Sequence, residues 1–296
     1  MRCDGFSGFQ RCFLKRLIVT ADDFGLTTSV NDAIEEGHSR GILTAASLMV
    51  TGEAAADAVA RAKRLPKLGV GLHLVLVDGV PVLPPDQVPA LVGRDGKFRP
   101  DVFMQGVRIF CLPSARRQLV AEIRAQLEAF RATGLTLDHV NAHHHFHLHP
   151  TIMRELLKLA PEFGIKAIRI PLEPPMAPVK AGGRRFAWFS GGFIEAQRAR
   201  KIKQRIDAAG IRRNDWIFGL ADTGAMVSAR VLRYLEAIPD GVSELYFHPA
   251  IDRPADWPAT YQCRGEYEAL IDPAAREIIT RRGISIIPFA GLEQAA

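Results

Sequence analysis

The residues with the clearest chemical meaning form a histidine-rich window at positions 141–150. Together with His139 just before it, this window holds six of the nine histidines in the chain. Neutral imidazole is the commonest protein ligand for zinc and also binds other divalent metals. If the segment is an extended strand, its side chains alternate between two faces, so His143, His145 and His147 point to one side. The window therefore predicts a metal site.

A plainer interpretation of the same window is an accidental polyhistidine loop or an expression tag. A tag normally sits at a terminus, whereas this run is internal, is interrupted by Phe146 and Leu148, and follows an apolar segment at 135–140. Imidazoles interleaved with apolar residues are typical of a strand that enters a site. Because tetrahedral zinc takes about four donors and a catalytic site leaves one for water, only two or three of these histidines can be ligands.

Further candidate ligands and acids lie at the ends of other predicted strands. Asp22 and Asp23 close the first strand, His73 lies in the third, and His248 follows a strand near the end of the chain. Taken singly, they suggest ordinary structure: a turn or helix cap, a core histidine, and the end of a strand. Adjacent aspartates disfavour each other's ionisation, however, and a bound cation removes that cost. Their joint placement with the histidine window favours one shared site.

The order of apolar runs and amphipathic segments predicts strands that alternate with helices. Strands are predicted at 17–20, 43–50, 69–76, in the histidine-rich segment, and at 167–170, 215–220, 244–247 and 284–288. Helices are predicted at 28–40, 54–64, 115–133, 151–160, 193–209, 228–237 and 266–282, and long loops over the site at 78–113 and 173–192. This alternation predicts a parallel sheet with right-handed crossovers. The economical architecture is a distorted or incomplete (β/α) barrel whose site lies at the carboxyl ends of the strands.

Composition and charge exclude several classes of protein. With 296 residues, of which 48% are hydrophobic and 24% charged, the chain can bury its own core and is ordinary for a globular protein. Its four cysteines have no C-x-x-C spacing, which argues against a disulfide framework and fits a reducing cytoplasm. The net charge of +6 would suit nucleic acid, but no stacking or zinc-finger pattern accompanies the basic residues. We therefore expect no nucleic acid partner.

Any relation to membranes is predicted to be peripheral. No apolar run approaches the roughly eighteen residues of a membrane span, and the first residues lack the apolar region and cleavage site of a secretory signal. The basic surface suits attraction to an anionic inner membrane. We expect a cytoplasmic protein for which peripheral membrane contact and a homodimer are left open. Residues 1–14 are interpreted as an irregular extension and residues 15–296 as one barrel domain.

Five short segments, in order along the chain, resemble the successive signatures of the YdjC-like carbohydrate deacetylases. They are ADDFG at 21–25, VGLHL at 70–74, NAHHHFH at 141–147, YFHP at 246–249 and RGE at 264–266. The resemblance extends from about residue 17 to about residue 288, and its motifs are specific to the family. Within the family, the sequence is most similar to the hopanoid-biosynthesis-associated branch (HpnK).

The resemblance implies a distorted (β/α) barrel of the glycoside hydrolase and deacetylase type. Such an enzyme removes an N-acetyl group from an amino sugar with the help of one divalent metal ion. By matching motifs, the resemblance assigns the metal to Asp23, His73 and His143. It makes Asp22 the general base and His248 the acid that protonates the departing amine.

The chemistry of amide hydrolysis agrees with these roles. An amide is a poor electrophile with a poor leaving group, so its hydrolysis needs a polarised carbonyl, an activated water and a proton donor. A metal held by two histidines and one carboxylate keeps positions open for water and the acetyl oxygen, lowers the pKa of the water and stabilises the oxyanion. Asp22 can accept the water's proton, and His248 on another strand can deliver a proton to nitrogen.

One residue departs from the family pattern. Many members have aspartate where this chain has Asn141. A neutral amide cannot act as an anionic partner of a ligand, so the basicity of the histidines or the preferred metal is expected to differ.

Other candidates surround these residues. His145 and His147 are predicted to contact the substrate or to support the ligands. Arg169 could bind substrate hydroxyls or the carbonyl, with a surface salt bridge as the plainer interpretation. Arg264 is a further candidate for substrate binding, with a structural pair to Glu266 as its alternative.

We expect the substrate to be an acetylated amino sugar, and an N-acetylglucosamine group on a hopanoid lipid if the narrower resemblance holds. A chitooligosaccharide is the alternative within the same chemistry. A metal phosphoesterase on a similar barrel and metal storage through the histidines are alternatives of other classes, and a stoichiometry of one ion per chain favours the deacetylase. Two histidine ligands favour zinc, and magnesium stays open because a mixed nitrogen and oxygen site tolerates several metals.

Overall fold

Parallel strands alternate with helices along the chain, as the sequence predicts. The computed structural model describes residues 15–174, 176–177 and 193–292, so the predicted extension at 1–14 and most of the predicted loop at 173–192 lie outside the described residues. The strands are β1 Lys15–Phe24, β2 Ala45–Leu48, β3 Gly69–Leu74, β4 Val140–Ala142, β5 Trp216–Phe218, β6 Gly241–Phe247 and β7 Ser285–Ile286. The α-helices are α1 Thr28–Ser39, α2 Ala55–Ala62, α3 Val102–Cys111, α4 Pro113–Ala132, α5 Pro150–Phe163, α6 Phe193–Ala208, α7 Ser228–Ala237, α8 Cys263–Leu270 and α9 Pro273–Arg281.

All strand pairs are parallel, and the sheet curves into a distorted barrel. Its order is β4-β3-β2-β1-β6-β5, and β7 pairs with the first residues of β1, before the point where β2 joins that edge. Residues 167–172 connect the two ends of this order: Val140 bridges Ile168, and the Ile217 N–H donates to the Leu172 carbonyl at 3.0 Å. The strand predicted there is therefore irregular, because it bridges its neighbours without forming a continuous ladder.

Residues of β1 alternate between the barrel interior and the surrounding helices. Leu17 and Val19 belong to the large apolar core between sheet and helices, whereas Ile18 belongs to a small separate cluster inside the barrel. A period of two places Thr20 and Asp22 on the same inner face as Ile18. Both faces of the strand are covered, which explains its continuous run of buried residues.

Residues 289–292 fill the amino-terminal end of the barrel. Phe289 and Leu292 pack against Ile18 in the inner apolar cluster, and Phe289 is fully buried. The Asp138 carboxylate holds this segment by accepting the N–H groups of Phe289 and Ala290 at 3.2 and 2.7 Å. Because this end is filled, the carboxyl ends of the strands form the open mouth.

The helix predicted at 115–133 is confirmed as α4. Its predicted stripe of Leu119, Ile123, Leu127 and Phe130 is buried against the sheet. Spacings of four, four and three keep these side chains on one face of the helix. No helix in the described part of the chain has both the length and the apolarity needed to cross a bilayer.

Two predicted elements differ from the structure. The predicted loop at 78–113 contains α3, whose first turn is capped by the side chain of Asp101. The predicted helix at 266–282 consists of two helices, α8 and α9, because the Asp272 side chain caps a new helix that begins at Pro273. Proline has no N–H to donate, so it starts a helix more readily than it continues one.

Residues 289–292 act as a plug at the amino-terminal end of the barrel, and truncation of this plug is expected to destabilise the whole domain. Phe289→Ala removes a fully buried ring that stacks on His139 at 4.3 Å between centroids, and we expect a loss of about 3–5 kcal/mol in the free energy of unfolding. Urea denaturation followed by circular dichroism measures it. Ile286→Ala is the control: that side chain is 40% exposed and should change stability by about 0.5 kcal/mol. Equal losses in both variants would contradict the role of the plug.

Candidate metal centre and active site

Asp22 and Asp23 stand at the carboxyl end of β1, where the strand leaves its regular register. The pairing with β2 shifts between Ala21 and Phe24, and Asp23 adopts a φ of +61°, in the left-handed region. In a regular strand, consecutive side chains point to opposite faces. The irregularity lets both carboxylates stay buried at the barrel mouth, with exposures of 2% and 1%. Backbone strain of this kind is typical of functional sites.

Asp23, His73 and His143 lie close enough to share one ion. His73 Nε2 is 3.2 Å and His143 Nδ1 is 3.5 Å from Asp23 Oδ1. One ligand atom of each residue lies within 4.8 Å of the others. The three residues come from β1, β3 and the position after β4, so the parallel sheet brings together distant segments. The predicted convergence is confirmed, and the donor set fits a divalent metal.

Hydrogen bonds around His73 leave one of its nitrogens ready for a cation. Asn141 Nδ2 donates to Asp22 Oδ1 at 3.1 Å and to Ser47 Oγ at 3.0 Å, so its amide oxygen accepts from His73 Nδ1 at 2.8 Å. In the neutral form of His73, the lone pair of Nε2 therefore points toward Asp23 Oδ1, a buried atom without a hydrogen-bond partner among the described residues. Two acceptors 3.2 Å apart repel unless a cation or a proton lies between them. These residues therefore fit a bound metal.

Asn141 links a carboxylate to a metal ligand, although it carries no charge itself. Its amide donates to Asp22 and accepts from His73. An aspartate at this position would place a second carboxylate beside Asp22, and each would disfavour the ionisation of the other. The expected loss of an anionic partner is thus offset, because Asp22 supplies the negative charge one hydrogen bond further away.

Asp22 is held by a network of buried donors. Arg169 binds it through both guanidinium prongs at 2.6 and 2.9 Å, and Ser47 Oγ donates to it at 2.7 Å. Burial by itself would raise the pKa of Asp22, but the adjacent guanidinium outweighs burial and holds that pKa well below its ordinary range. Asp22 is therefore an anion at physiological pH and a weak base.

Arg169 is fully buried, so its interpretation as a surface salt bridge is wrong. Besides Asp22 it binds a second buried carboxylate, Glu244, at 2.7 Å. Although burial opposes its charge, the two carboxylates outweigh burial and raise the pKa of Arg169. His147 Nε2 donates to the Arg169 backbone carbonyl at 2.9 Å and fixes the segment that carries it. The observed role of the guanidinium is to hold Asp22, and a contact with substrate stays a prediction.

The predicted extended strand through the histidine window is wrong beyond Ala142. There β4 ends, and residues 143–148 form a 3₁₀ turn in which His144 and His145 both have a φ of +53°. Left-handed residues turn the chain away from the sheet and end the strand pairing. For the same reason, His143, His145 and His147 do not share one face. Only His143 of these three joins the metal cluster.

His145 and His147 lie behind the cluster. Burial lowers the pKa of His147 to about 4 and lowers that of His145 well below its ordinary value. The ring of His145 packs edge to face against Tyr246, with centroids 5.4 Å apart. Both imidazoles are therefore neutral at physiological pH. His147 supports the site through the Arg169 backbone, and a substrate contact of His145 stays a prediction.

His248 follows β6 and lies in an aromatic surround. Its ring centroid is 5.4 Å from Tyr246, 5.8 Å from Trp257 and 5.6 Å from Tyr261. Its Nδ1 is buried and has no hydrogen-bond partner among the described residues. Burial lowers the pKa of His248, although the nearby carboxylate of Asp23 acts in the opposite direction. The ring is thus held firmly, with one nitrogen available to exchange a proton.

Glu266 positions the backbone that carries His248. Its fully buried carboxylate accepts the N–H groups of Met226 and His248 at 2.9 and 2.5 Å, and burial raises its pKa to about 7. Arg264 pairs with Glu268 at 3.4 Å and is 60% exposed. The predicted pair of Arg264 and Glu266 is wrong, because residues two apart on a helix face different directions. A role of Arg264 in substrate binding stays a prediction.

Sequence reasoning missed Ser47 and Glu244. Ser47 lies two residues after Ala45, which faces the barrel interior, so the period of two already places it on the inner face. Glu244 is the one charged residue in the apolar strand β6. A charge in a strand buried on both faces needs a partner, and that signal could have indicated a buried cation nearby.

A second group of ligand-type residues lies at the rim. Asp78, His143 and His144 also offer ligand atoms within 4.8 Å of one another. The side chains of Asp78 and His144 are 57% and 44% exposed, and His143 is shared with the buried cluster. The rim group is therefore not an independent three-residue site.

A cavity of about 720 Å³ lies beside the buried cluster. It reaches the site at His145 and Tyr246. Most of its remaining lining is apolar and comes from α3, the 3₁₀ turn and two loops, namely Val102, Phe103, Gly106, Val107, Phe110, Cys111, Phe146, Leu148, Pro150, Pro171 and Leu220. The site thus opens onto an apolar space larger than the reacting group requires.

Known proteins resemble this chain over half of its length or more. A carbohydrate deacetylase of Geobacillus stearothermophilus is 31% identical over 277 residues, covering 92% of this chain and 96% of that protein. A carbohydrate deacetylase of Brevibacillus brevis is 44% identical over 160 residues, covering 54% of this chain and 59% of that protein. The second match therefore spans little more than half the length of its relative.

A solved structure and a family model extend the comparison. A protein of Enterococcus faecalis V583, named as a candidate for cellobiose-phosphate cleavage, superposes with a TM-score of 0.73 at 25% identity, covering 93% of this chain and 98% of that chain. A model described as YdjC-like protein matches residues 16–281, which include Asp23, His73, His143 and His248. The chain belongs to the YdjC-like protein family.

Proposed function

We propose that this protein is a metal-dependent N-deacetylase that hydrolyses the acetamido group of an N-acetylglucosamine moiety and releases acetate. The observation that carries the proposal is the cluster of Asp23, His73 and His143, with the carboxylate of Asp22 and the ring of His248 nearby. The relatives named as carbohydrate deacetylases support the reaction class.

Two side chains would move the protons. Hydrolysis forms a bond from the water oxygen to the acetyl carbon and breaks the carbon–nitrogen bond, while a base takes one proton and an acid gives one to nitrogen. A divalent ion in the cluster would supply Lewis acidity toward the acetyl oxygen and the attacking water. Asp22, kept weakly basic by Arg169, accepts the water's proton and releases it readily afterwards. His248 protonates the nitrogen, and the burial that lowers its pKa makes its imidazolium a stronger acid.

The proposed natural substrate is a hopanoid-linked N-acetylglucosamine, converted to the glucosamine form. The resemblance to the hopanoid-biosynthesis-associated branch supports this choice, and so does the apolar cavity beside the site. Side chains such as Phe146 and Leu148 in its lining suit a lipid better than a further sugar, whose hydroxyls need hydrogen-bond partners. A lipid-linked substrate also implies peripheral contact with a membrane. A chitooligosaccharide is the alternative substrate.

Acetate release distinguishes these substrates. We expect purified protein loaded with zinc to deacetylate N-acetylglucosaminyl bacteriohopanetetrol with a kcat/KM about tenfold or more above that for a chitooligosaccharide, since tenfold corresponds to about 1.4 kcal/mol of extra binding. Asp22→Asn keeps the side-chain shape but should lower kcat by about 10²–10⁴-fold. Equal rates on both substrates would refute the lipid preference alone, and no acetate from either would refute the deacetylase.

Removal of the Asn141 amide is expected to weaken metal binding. Without the acceptor for His73 Nδ1, the imidazole no longer keeps its lone pair on Nε2, so zinc affinity should fall about 10–100-fold in Asn141→Ala. Titration of metal-free protein by calorimetry measures this affinity and should show one ion per chain in the unchanged protein. Asn214→Ala is the matched control, because that buried amide bonds only the backbone near Ile170 and Trp216. Equal affinities in all three proteins would contradict the role of Asn141.

The pH profile tests His248 as the proton donor. A general acid works in its protonated form, which is lost as pH rises through its pKa. Burial lowers the pKa of His248, so kcat/KM should begin to fall with rising pH below about pH 6.5, the ordinary histidine value. His248→Asn should remove this alkaline limb and lower kcat/KM. If the limb persists in the variant, another group donates the proton.

A further inference from the structure

The outer face of α3 is apolar and open to solvent. Five large apolar side chains of this segment are exposed. Their exposed fractions are 75% for Phe103, 44% for Met104, 37% for Val107, 65% for Phe110 and 43% for Leu112, which lies just after the helix. Helical spacings of three and four place most of these side chains on one side of the helix. The described part of the chain holds eight large hydrophobic residues with such exposure, and five of them lie in this one segment. A patch of this kind marks an interaction surface.

The opposite face of α3 is firmly attached to the barrel. Ile109 is fully buried there, and the buried Gln105 side chain donates to the backbone carbonyls of Leu76 and Leu91 at 3.3 and 3.0 Å. The Asp101 side chain caps the first turn. Because the inner face is fixed in this way, the exposed apolar face is a stable feature of the surface.

Basic residues flank α3 in the sequence. Between positions 94 and 117 the chain has six arginines and lysines against two aspartates. Arg94, Lys97 and Arg117 are exposed to solvent. An apolar helix face beside an excess of positive charge is complementary to a bilayer with anionic head groups, and it is poorly suited to a second copy of the same basic chain.

The helix also borders the cavity beside the catalytic cluster. Val102 and Gly106 of α3 line the same space that reaches His145 and Tyr246, and so do Phe103, Val107 and Phe110 of the exposed face. A bilayer held against the outer face would therefore lie next to the opening through which a lipid-linked sugar must enter. This continuity connects the exposed face with the site.

We propose that the outer face of α3, from Phe103 to Leu112, is a docking surface for an anionic lipid bilayer. The apolar side chains enter the interface between head groups and acyl chains, while the flanking arginines and lysines bind the anionic head groups. The proposal rests on the proposed function, because a lipid-linked substrate gives this surface its purpose. It goes further in naming the segment and the charge of the membrane.

Vesicle binding tests the surface with a variant that spares the cavity. Met104 and Leu112 lie on the exposed segment but do not line the cavity, and serine at 112 can still cap α4. Wild-type protein should cosediment with vesicles of phosphatidylcholine and phosphatidylglycerol and much less with phosphatidylcholine alone. Met104→Ser/Leu112→Ser should weaken this binding about tenfold or more, and high salt should weaken it in wild type. Ile286→Ser, on the exposed strand β7, is the control and should bind as wild type does.

Activity on two substrate forms separates the docking surface from the catalytic function. Turnover of a water-soluble chitooligosaccharide should be unchanged in Met104→Ser/Leu112→Ser, whereas turnover of the glycolipid in anionic vesicles should fall with the vesicle binding. If the wild-type protein hydrolyses neither substrate, the proposed function fails. The vesicle assay still tests the docking surface in that case, because it does not depend on turnover. Vesicle binding that is unaffected by the double substitution overturns the docking proposal. So does sedimentation velocity showing a dimer that this substitution dissociates, since the face would then be a subunit interface.

Discussion

Inside the barrel, Arg169 and Asp22 form an ion pair whose side chains are 0% and 2% exposed. Removing one partner of such a pair leaves an uncompensated buried charge, at a cost of about 3–5 kcal/mol. Asp22 and Arg169 therefore hold each other, and Glu244 binds the same guanidinium from a second position. The fixed Asp22 carboxylate orients the Asn141 amide, and that amide determines which nitrogen of His73 keeps its lone pair. The cation-binding geometry follows from this buried chain of donors and acceptors.

The amino-terminal end of the barrel contributes to stability, whereas the carboxyl end holds the candidate site. At the amino-terminal end, Phe289 and Leu292 fill the interior with apolar side chains. At the carboxyl end, the structure tolerates left-handed backbone at Asp23, His144 and His145, which costs about 1–3 kcal/mol at each such residue. The barrel can keep this backbone strain at its mouth because apolar packing at its amino-terminal end and around the sheet stabilises the whole domain.

A polar barrel interior also explains why the site is rigid. Donors and acceptors there are largely paired, so the buried carboxylates cannot turn toward solvent. Several buried side-chain atoms of the described residues nevertheless have no hydrogen-bond partner, among them Thr20 Oγ1, Glu244 Oε2, Asp23 Oδ1 and His248 Nδ1. Unpaired buried polar atoms are costly. The proposed binding of a cation and of a substrate amide accounts for two of them, Asp23 Oδ1 and His248 Nδ1.

Much of the site could be predicted from residue type and position. The histidine window, Asp22, Asp23 and His73 could be placed near one site because parallel strands bring their carboxyl ends to one mouth, and the resemblance to the family then selected Asp23, His73 and His143 as ligands. The face of His145 and His147 could not be predicted, because left-handed residues in the 3₁₀ turn depend on contacts with β6 and with Arg169. Local sequence carries no signal for those contacts.

The burial and the partners of Arg169 also could not be predicted from local sequence. Its sequence neighbours suggest an exposed arginine after a strand, yet its carboxylate partner Asp22 lies 147 residues away. Apolar periodicity, turn residues and the histidine cluster by themselves determined that the chain forms a parallel α/β barrel with metal-ligand side chains at its mouth. Only the tertiary structure decided which imidazole nitrogen faces the cation, which carboxylate is held as an anion and which helix face stays open. Those properties arise from through-space contacts between segments that the sequence separates.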